Sequence, residues 1–437
     1  MSGGGAYRVA AGIFLSRISG LIRERVFAYY FGASLYADVW RASLKLPNIL
    51  QNLLGEGTLS ASFIPLYAEY LEEGREEDAG RFAGAVLGLL LVTVGLVVLI
   101  GYLLAPLIVT AFFPLWEPGK RSLTIGLVRI LLLMAGTLVL SAWALGILNS
   151  HRRFFLSYVA PVLWNAAMIA AMIAGGLRWG LGQRDLVIAL AWGAVVGGLL
   201  QLGVQLPWVI GALRGFRLRV STRVEGVREA IQNFLPVVAA RGVVNISGYV
   251  DLVLAGLLTG GALALLGYAQ TLYLLPISLF GMSVAAAELP ELSRNRKAEL
   301  GGLNRQVSTA VSRVTYFVWP TTLGYVFLGD SIVAGLFQTG AFGADEVVAT
   351  YLVLAGYSVG LLASSRSRVL SSAFYALRDT RTPAKISYLR VALSAVIGAA
   401  VMFPLDRFGI GDVRFGAVGL ALGASVGAWV EYRMLKR

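Results

Sequence analysis

Residues 82–116 read FAGAVLGLLLVTVGLVVLIGYLLAPLIVTAFFPLW, without one charged side chain. A helix needs roughly 20 apolar residues to cross the hydrocarbon core of a bilayer, so this stretch holds a whole crossing. The run is continuous rather than alternating and too long for a barrel strand, which leaves a transmembrane helix as its reading. Residues 154–177, 186–213, 252–287 and 347–365 are uncharged in the same way, and 252–287 holds parts of two helices.

The rest of the chain follows these runs. Of its 437 residues 57% are hydrophobic and 14% charged, and the mean hydropathy is +0.74. A soluble chain carries about a quarter charged residues. The missing charge is explained if most of the surface meets lipid. A net charge of +13 raises the question of nucleic acid, but Arg and Lys sit mostly between the apolar runs and form no basic soluble domain, so no nucleic-acid partner is expected. The chain has no Cys, which excludes a disulfide framework, a thiolate metal site and a Cys nucleophile. Its single His, His151, excludes a His-rich metal site. The opening MSGGGAYRVAAGIFLSR has no small-residue cleavage site behind an apolar stretch, so no removable signal is expected.

Breaks at charged or Pro/Gly-rich turns divide the chain into twelve segments, at about 8–32, 36–70, 82–113, 122–150, 154–177, 185–213, 227–258, 262–288, 307–337, 346–377, 383–404 and 414–435. With the N-terminus inside, the inner segments hold twenty Lys and Arg, including Arg214, Arg217, Arg219, Arg223 and Arg228. The outer loops hold six: Lys120, Arg121, Arg178, Arg184, Arg407 and Arg414. Positive residues mark the cytoplasmic side, so both termini are expected in the cytoplasm. The halves look duplicated. Leu46-Pro47 and Ile64-Pro65 have counterparts in Leu275-Pro276 and Leu289-Pro290, and Tyr36-Ala37-Asp38 echoes Tyr268-Ala269-Gln270. The expected fold is an all-α polytopic membrane protein of about twelve helices. Residues 1–220 form one six-helix lobe and 221–437 the other, related by a pseudo-twofold along the membrane normal, with a site between them.

Charge inside such segments is costly and faces a cavity or a partner. In the first segment Arg17 lies roughly 13 Å along the helix from Arg8, near mid-bilayer, and shares a face with Glu24; Ser16, Ser19, Gly20 and Arg23 border that face. In the second, Asp38, Arg41, Lys45, Asn48, Asn52 and Glu56 are spaced by three or four residues, which on one helix makes a polar stripe lining water. Pairing of Asp38 with Arg41, as glue between helices, is the plainer alternative. Further along stand Arg241, Asn245 and Asp251, then Arg366, Arg368 and Asp379. Snorkelling or structural ion pairing is an equal reading for Arg241, Arg366 and Arg368. Taken together the suspected cavity is cationic, and arginine's planar donors favour a phosphate or diphosphate cargo.

The stretch LSRISGLIRERVFAYYFGASLYADVWRASLKLPNILQNLLGEGTLSASFIPLYAEY, residues 15–70, resembles the MurJ (MviN) family of flippases for the lipid-linked peptidoglycan precursor, which belongs with the MATE exporters to one superfamily. The specific pieces are Ser16-Arg17, Gly20 with Ile22-Arg23-Glu24, Phe31-Gly32-Ala33, Asp38, Lys45-Leu46-Pro47-Asn48, Gly55-Glu56-Gly57 and Phe63-Ile64-Pro65, with a second match at Ala373–Leu377 and Asp379–Pro383. The resemblance implies two lobes rocking around a central cationic cavity in the bacterial inner membrane, with the diphosphate-sugar head passing through while the polyprenyl tail stays in lipid. It implies functional roles for Arg17, Arg23, Glu24, Asp38 and Glu56. For some members it implies a sodium site, here at Asp251 and Asp379, although Tyr375 stands where an amide ligand is implied. Other departures are Gln51-Asn52 in place of a basic pair and Gln270-Thr271 where an arginine is implied; Arg41, Arg241 or Arg366 are candidate substitutes. Two further C-terminal helices, implied as a lipid-tail groove, have no counterpart after the twelfth segment.

The leading expectation is therefore a flippase for a polyprenyl-diphosphate-linked saccharide, foremost the peptidoglycan precursor, working by alternating access with Na+ or H+ coupling or none. Its partners are membrane lipid, the lipid-linked cargo and envelope-synthesis proteins. Competing readings are a flippase for another lipid-linked oligosaccharide, a MATE-like cation-coupled exporter and a non-transporting scaffold. An enzyme is not expected, because no loop is large enough to hold an extramembrane catalytic site.

Overall fold

The computed structural model describes residues 3–258, 260–282, 300–377, 379 and 381–437, leaving out the side chains at 3–11, 13, 56, 154, 157, 158, 239–247, 281, 282 and 300–304. The described residues are overwhelmingly helical. Their only strands, Gly409–Ile410 and Val413–Arg414, make a small hairpin between the last two helices.

Among the described residues six helices are long and apolar enough to cross a membrane: Glu76–Phe112, Pro118–Ser150, Val159–Arg178, Gln183–Ala212, Ala262–Phe280 and Arg381–Leu405. Two bent pairs raise the number to as many as eight. Gly3–Phe31, Val227–Gly256 and Gly416–Lys436 have 29, 30 and 21 residues, enough length to span roughly 30 Å of hydrocarbon at 1.5 Å per residue. These carry ionisable residues and are less apolar. Two expected crossings need correction. The segment 307–337 turns by 81° between Arg305–Phe327 and Gly329–Phe337, and 346–377 bends by 42° between Ala344–Ser358 and Leu361–Ala376. The expected end of the eighth segment, at Leu289-Pro290, lies outside the described residues.

The second segment is the largest departure. A single helix was expected over 36–70, but four short ones occur: Leu35–Lys45, Asn48–Leu54, Glu56–Ser62 and Ile64–Glu72. Pro47 has no N–H for the preceding turn and its ring crowds the carbonyl four residues back. Gly55 leaves the helix at φ −84°, ψ −153°, and Pro65 starts the last piece. The counterpart Pro276 ends Ala262–Pro276, after which Ile277–Met282 continues with π-helical bonding.

Contacts divide the chain into two compact units, residues 1–30 with 39–249, and residues 31–38 with 250–437. By contacts the boundary lies inside Val227–Gly256. The reason is packing of the basic stretch within the first unit. Gly80, Gly84 and Gly88 lie at helical steps of four on Glu76–Phe112, and a Cβ on each would collide with the backbone carbonyl of Arg214, Arg217 and Arg219 respectively. An extended strap thus lies in a groove that only glycine leaves open. Gly84→Leu is expected to lift it, so that trypsin cuts after Arg217 or Arg219 roughly tenfold faster; an unchanged cleavage rate in limited proteolysis counts against the groove as the strap's anchor.

Pro118–Ser150 is the core helix of the first unit. Leu127, Leu131, Val139, Trp143 and Ile147 are buried along it, and it packs on Glu76–Phe112 and Gln183–Ala212. In lipid, apolar burial between helices gives little driving force, so close approach through small residues carries the packing. The second unit shows this at Gly419, Gly423 and Gly427 of Gly416–Lys436. A Cβ there would meet Met402 N at 2.5 Å, Gly398 N at 2.6 Å and the Ser394 hydroxyl, which fixes the helix tightly on Arg381–Leu405.

Candidate functional site

Gly3–Phe31 carries Arg23 and Glu24 side by side, and Leu35–Lys45 carries Arg41. The three form one cluster in the first unit. Glu24 is the centre, with its side chain 5% exposed. Its Oε1 accepts from Arg23 Nη2 at 2.7 Å and from Arg41 Nη1 at 3.3 Å, and its Oε2 accepts from Arg41 Nη2. One buried carboxylate therefore holds two guanidinium groups, and the trio keeps a net positive charge. Each guanidinium also stands over an aromatic ring. Arg23 stands 5.3 Å from the Trp164 ring and Arg41 5.1 Å from the Phe27 ring. Such contacts add about 0.5–2 kcal/mol each.

Asn165, on Phe154–Ile173, completes the arrangement. Its Oδ1 accepts from Arg23 Nη1 at 3.0 Å, and its Nδ2 donates to Ser19 Oγ at 2.9 Å, which donates in turn to the Ser16 carbonyl. Sequence reasoning missed Asn165 and Trp164 because 154–177 was read only as an uncharged run long enough for one crossing. The signal was there: Asn165 is the only amide side chain in that run.

The other expected site residues separate into distinct situations. Arg17 is exposed on Gly3–Phe31. Lys45 is half-buried, with its side chain passing 3.5 Å from where a Cβ on Gly248 would stand, and its carbonyl accepts from Tyr249 Oη at 3.3 Å. Asn48 opens the next short helix and is half-buried. The breaks at Pro47 and Gly55 therefore distribute the expected stripe over three helices. The side chains of Glu56, Arg241 and Asn245 lie outside the described residues. Arg41 pairs with Glu24.

Asp38 has a different task from lining water. It is buried, and its Oδ2 and Oδ1 accept from the backbone N–H groups of Gly261 at 2.8 Å and Ala264 at 3.1 Å. These are donors at the start of Ala262–Pro276, which has no cap from its own chain end. Helix N-termini leave such donors unpaired, and a carboxylate satisfies both. Gly261 has φ +93°, and a Cβ there would lie 2.6 Å from the Ala33 carbonyl oxygen, so the turn admits glycine alone without strain.

Asp379 is likewise occupied. Its Oδ1 accepts from the N–H groups of Arg381 and Thr382 at the start of Arg381–Leu405, both at 3.0 Å. Bonds from Thr382, side chain and backbone, hold its carboxyl below the usual carboxylate range. Asp251 is half-buried in Val227–Gly256. Among the described residues no three His, Asp or Glu side chains come together as metal ligands. In the same unit Arg366 donates to Thr315 Oγ1 at 2.9 Å and lies 5.5 Å from the Tyr432 ring. Sequence reasoning also missed the ion pair of Arg390 with buried Glu431, at 2.7 Å.

Comparisons with known proteins match this geometry to one family. A sequence model described as "Lipid II flippase MurJ" matches residues 27–437. The lipid II flippase MurJ of Burkholderia cenocepacia is 30% identical over 431 residues, covering 96% of this chain and 80% of the relative. A probable lipid II flippase MurJ of Bdellovibrio bacteriovorus is 31% identical over 405 residues, covering 91% and 76%. Among solved structures, an inward closed lipid II flippase MurJ superposes with a TM-score of 0.79 at 24% identity, over 98% of this chain and 86% of that one. An inward-facing multidrug resistance MATE transporter of the MOP superfamily gives 0.72 at 14% identity, over 98% and 96%. At these identities the structural likeness shows the fold alone, the all-α fold shared by those two proteins.

Proposed function

The chain belongs to the lipid II flippase MurJ family, and from that premise we propose that it carries lipid II from the inner to the outer leaflet of the bacterial cytoplasmic membrane by alternating access. Both termini lie in the cytoplasm in this reading, which rests on the excess of Lys and Arg in the inner loops. The chain is a transporter and performs no covalent chemistry.

The carrying observation is the pair of guanidinium groups clamped by Glu24. A diphosphate inside a membrane must exchange its water shell for fixed donors, and two oriented arginines supply them in planar pairs. Clamping matters as much as charge. Arg23 and Arg41 are already held by Glu24, Asn165, Trp164 and Phe27, so less side-chain freedom is lost when the anion arrives. Exposed Arg17 and half-buried Lys45 extend the positive charge. An exporter of cationic drugs, the activity suggested by the MATE fold alone, calls for an acidic or apolar surface in place of this one.

Reconstitution in liposomes with fluorescent lipid II tests the reading. Movement of the probe to the far leaflet is expected, with Arg17→Ala and Arg23→Ala each lowering the rate at least tenfold, the loss of about one charge-assisted hydrogen bond. Movement of only another lipid-linked saccharide reassigns the cargo. Full complementation by Arg23→Ala in cells points to a scaffold in an envelope-synthesis complex. Imposed Na+ or H+ gradients in the same vesicles identify the driving ion.

A further inference from the structure

The helices Glu76–Phe112 and Pro118–Ser150 pack together and are joined by a short turn. Near the turn they enclose a groove of about 500 Å3, walled by Thr110 on one helix and Arg121, Ser122, Gly126 and Arg129 on the other. Arg121 and Arg129 are eight residues apart, so they share a helix face two turns apart. Between them Gly126 leaves the floor open, with nothing within 4 Å of where its Cβ would stand. The groove is thus cationic at both ends and empty in the middle. Among the described residues no carboxylate pairs with either arginine. Arg129 is oriented, with Nε donating to the Tyr102 carbonyl at 3.1 Å and the guanidinium 4.6 Å from the Tyr102 ring.

Depth makes this arrangement unusual. Pro118–Ser150 has 33 residues, about 50 Å of helix against about 30 Å of hydrocarbon. Arg129 lies roughly 16 Å from the helix start, just inside the hydrocarbon if the excess length is shared between the two sides. Charge at that depth needs a counter-charge, and the described residues supply none. The neighbouring helix presents a lipid-facing stripe instead. Leu99, Leu103 and Leu107 repeat every four residues, are 55%, 64% and 67% exposed, and lead toward Thr110.

We propose that this groove binds the phosphodiester headgroup of an anionic phospholipid, with the acyl chains lying along Leu99, Leu103 and Leu107. The headgroup supplies the anion that Arg121 and Arg129 lack, the hydroxyls of Thr110 and Ser122 donate to its oxygens, and the leucine stripe holds the tails at the depth the arginines dictate. In the orientation given above the lipid sits in the outer leaflet, although binding itself requires neither that orientation nor transport.

The test uses the purified full chain in phosphatidylcholine nanodiscs with graded phosphatidylglycerol, followed by native mass spectrometry of the lipids retained. Wild type is expected to keep phosphatidylglycerol in preference to phosphatidylcholine. Arg121→Gln with Arg129→Gln is expected to lose that preference by roughly tenfold or more. Gly126→Leu is expected to do the same with both arginines present, because leucine fills the open floor without straining the helix. This variant keeps the proposal testable if the double variant folds poorly. Arg407→Gln, in the loop after Arg381–Leu405 of the second unit, is expected to behave as wild type. Equal retention of the two lipids by wild type, or undiminished preference in a folded Gly126→Leu, overturns the proposal. Displacement of phosphatidylglycerol by inorganic phosphate makes the groove a site for a free anion and overturns the lipid assignment. Displacement by lipid II places the groove on the transport route and overturns it as well.

Discussion

Glu24→Gln is expected to abolish lipid II movement and to destabilise the protein. The carboxylate contacts both Arg23 and Arg41 and is buried, while the two arginine side chains are 20% and 15% exposed. Gln keeps the shape but removes the charge that holds two like charges close. Breaking a buried ion pair by removing one partner costs about 3–5 kcal/mol, a large part of the stability of an ordinary domain. Glu24→Asp keeps the charge one methylene short and should fall between. The informative variant is Glu24→Gln with Arg41→Met, which removes the surplus positive charge. Stability should return in part, and transport should not, because the pair of donors is gone. A thermal-melting series in detergent and the liposome assay read the two properties separately. A Glu24→Gln protein with wild-type melting and transport would show that the arginines are held by Asn165 and the aromatic rings alone.

Asp38→Ala is expected to be comparably damaging to stability, for an unrelated reason. It removes an ionised acceptor from two buried N–H groups at the start of Ala262–Pro276. Buried donors left unpaired lose about 1–3 kcal/mol each, so a total of about 3 kcal/mol is the expected loss. Asp38→Asn retains one good acceptor and should lose about half as much. Transport by the folded fraction should survive in both variants at permissive temperature. If Asp38 instead touches cargo, Asp38→Asn will melt like wild type and fail to transport, and the capping role is then secondary.

The membrane-spanning helices were legible because apolar runs report directly on lipid contact, and 82–116 alone required one crossing. The family resemblance concentrated in residues 15–70, where the chain departs from apolar monotony. Legibility failed where two causes act on the same residues. The polar residues from Asp38 to Glu56 keep helical spacing, but Pro47 and Gly55 interrupt the backbone that makes spacing meaningful. Charge at Asp38 read as a lining group, because a carboxylate that caps a helix more than two hundred residues away leaves no local trace. The packing of the strap at 214–220 was hidden for the same reason: its partners, Gly80, Gly84 and Gly88, are small residues that a hydropathy profile scarcely registers. Asn165 was overlooked because one amide does not disturb an apolar average, though it fixes Arg23.

The Glu24 clamp also bears on how the chain enters the bilayer in the first place. The segment Gly3–Phe31 carries Arg17, Arg23, Glu24 and Arg25, and each charge near the middle of a span raises the cost of insertion by about 2.5–3.5 kcal/mol. Released alone from the translocon, this first segment is a poor membrane helix. Arg41 follows it by less than two dozen residues, and its bonds to Glu24 neutralise the most buried of those charges. Nascent chain therefore has reason to wait at the insertion site until Leu35–Lys45 has been made, and to partition into lipid as a charge-matched pair. On this account, the contact that prepares the protein for an anion also governs its biogenesis.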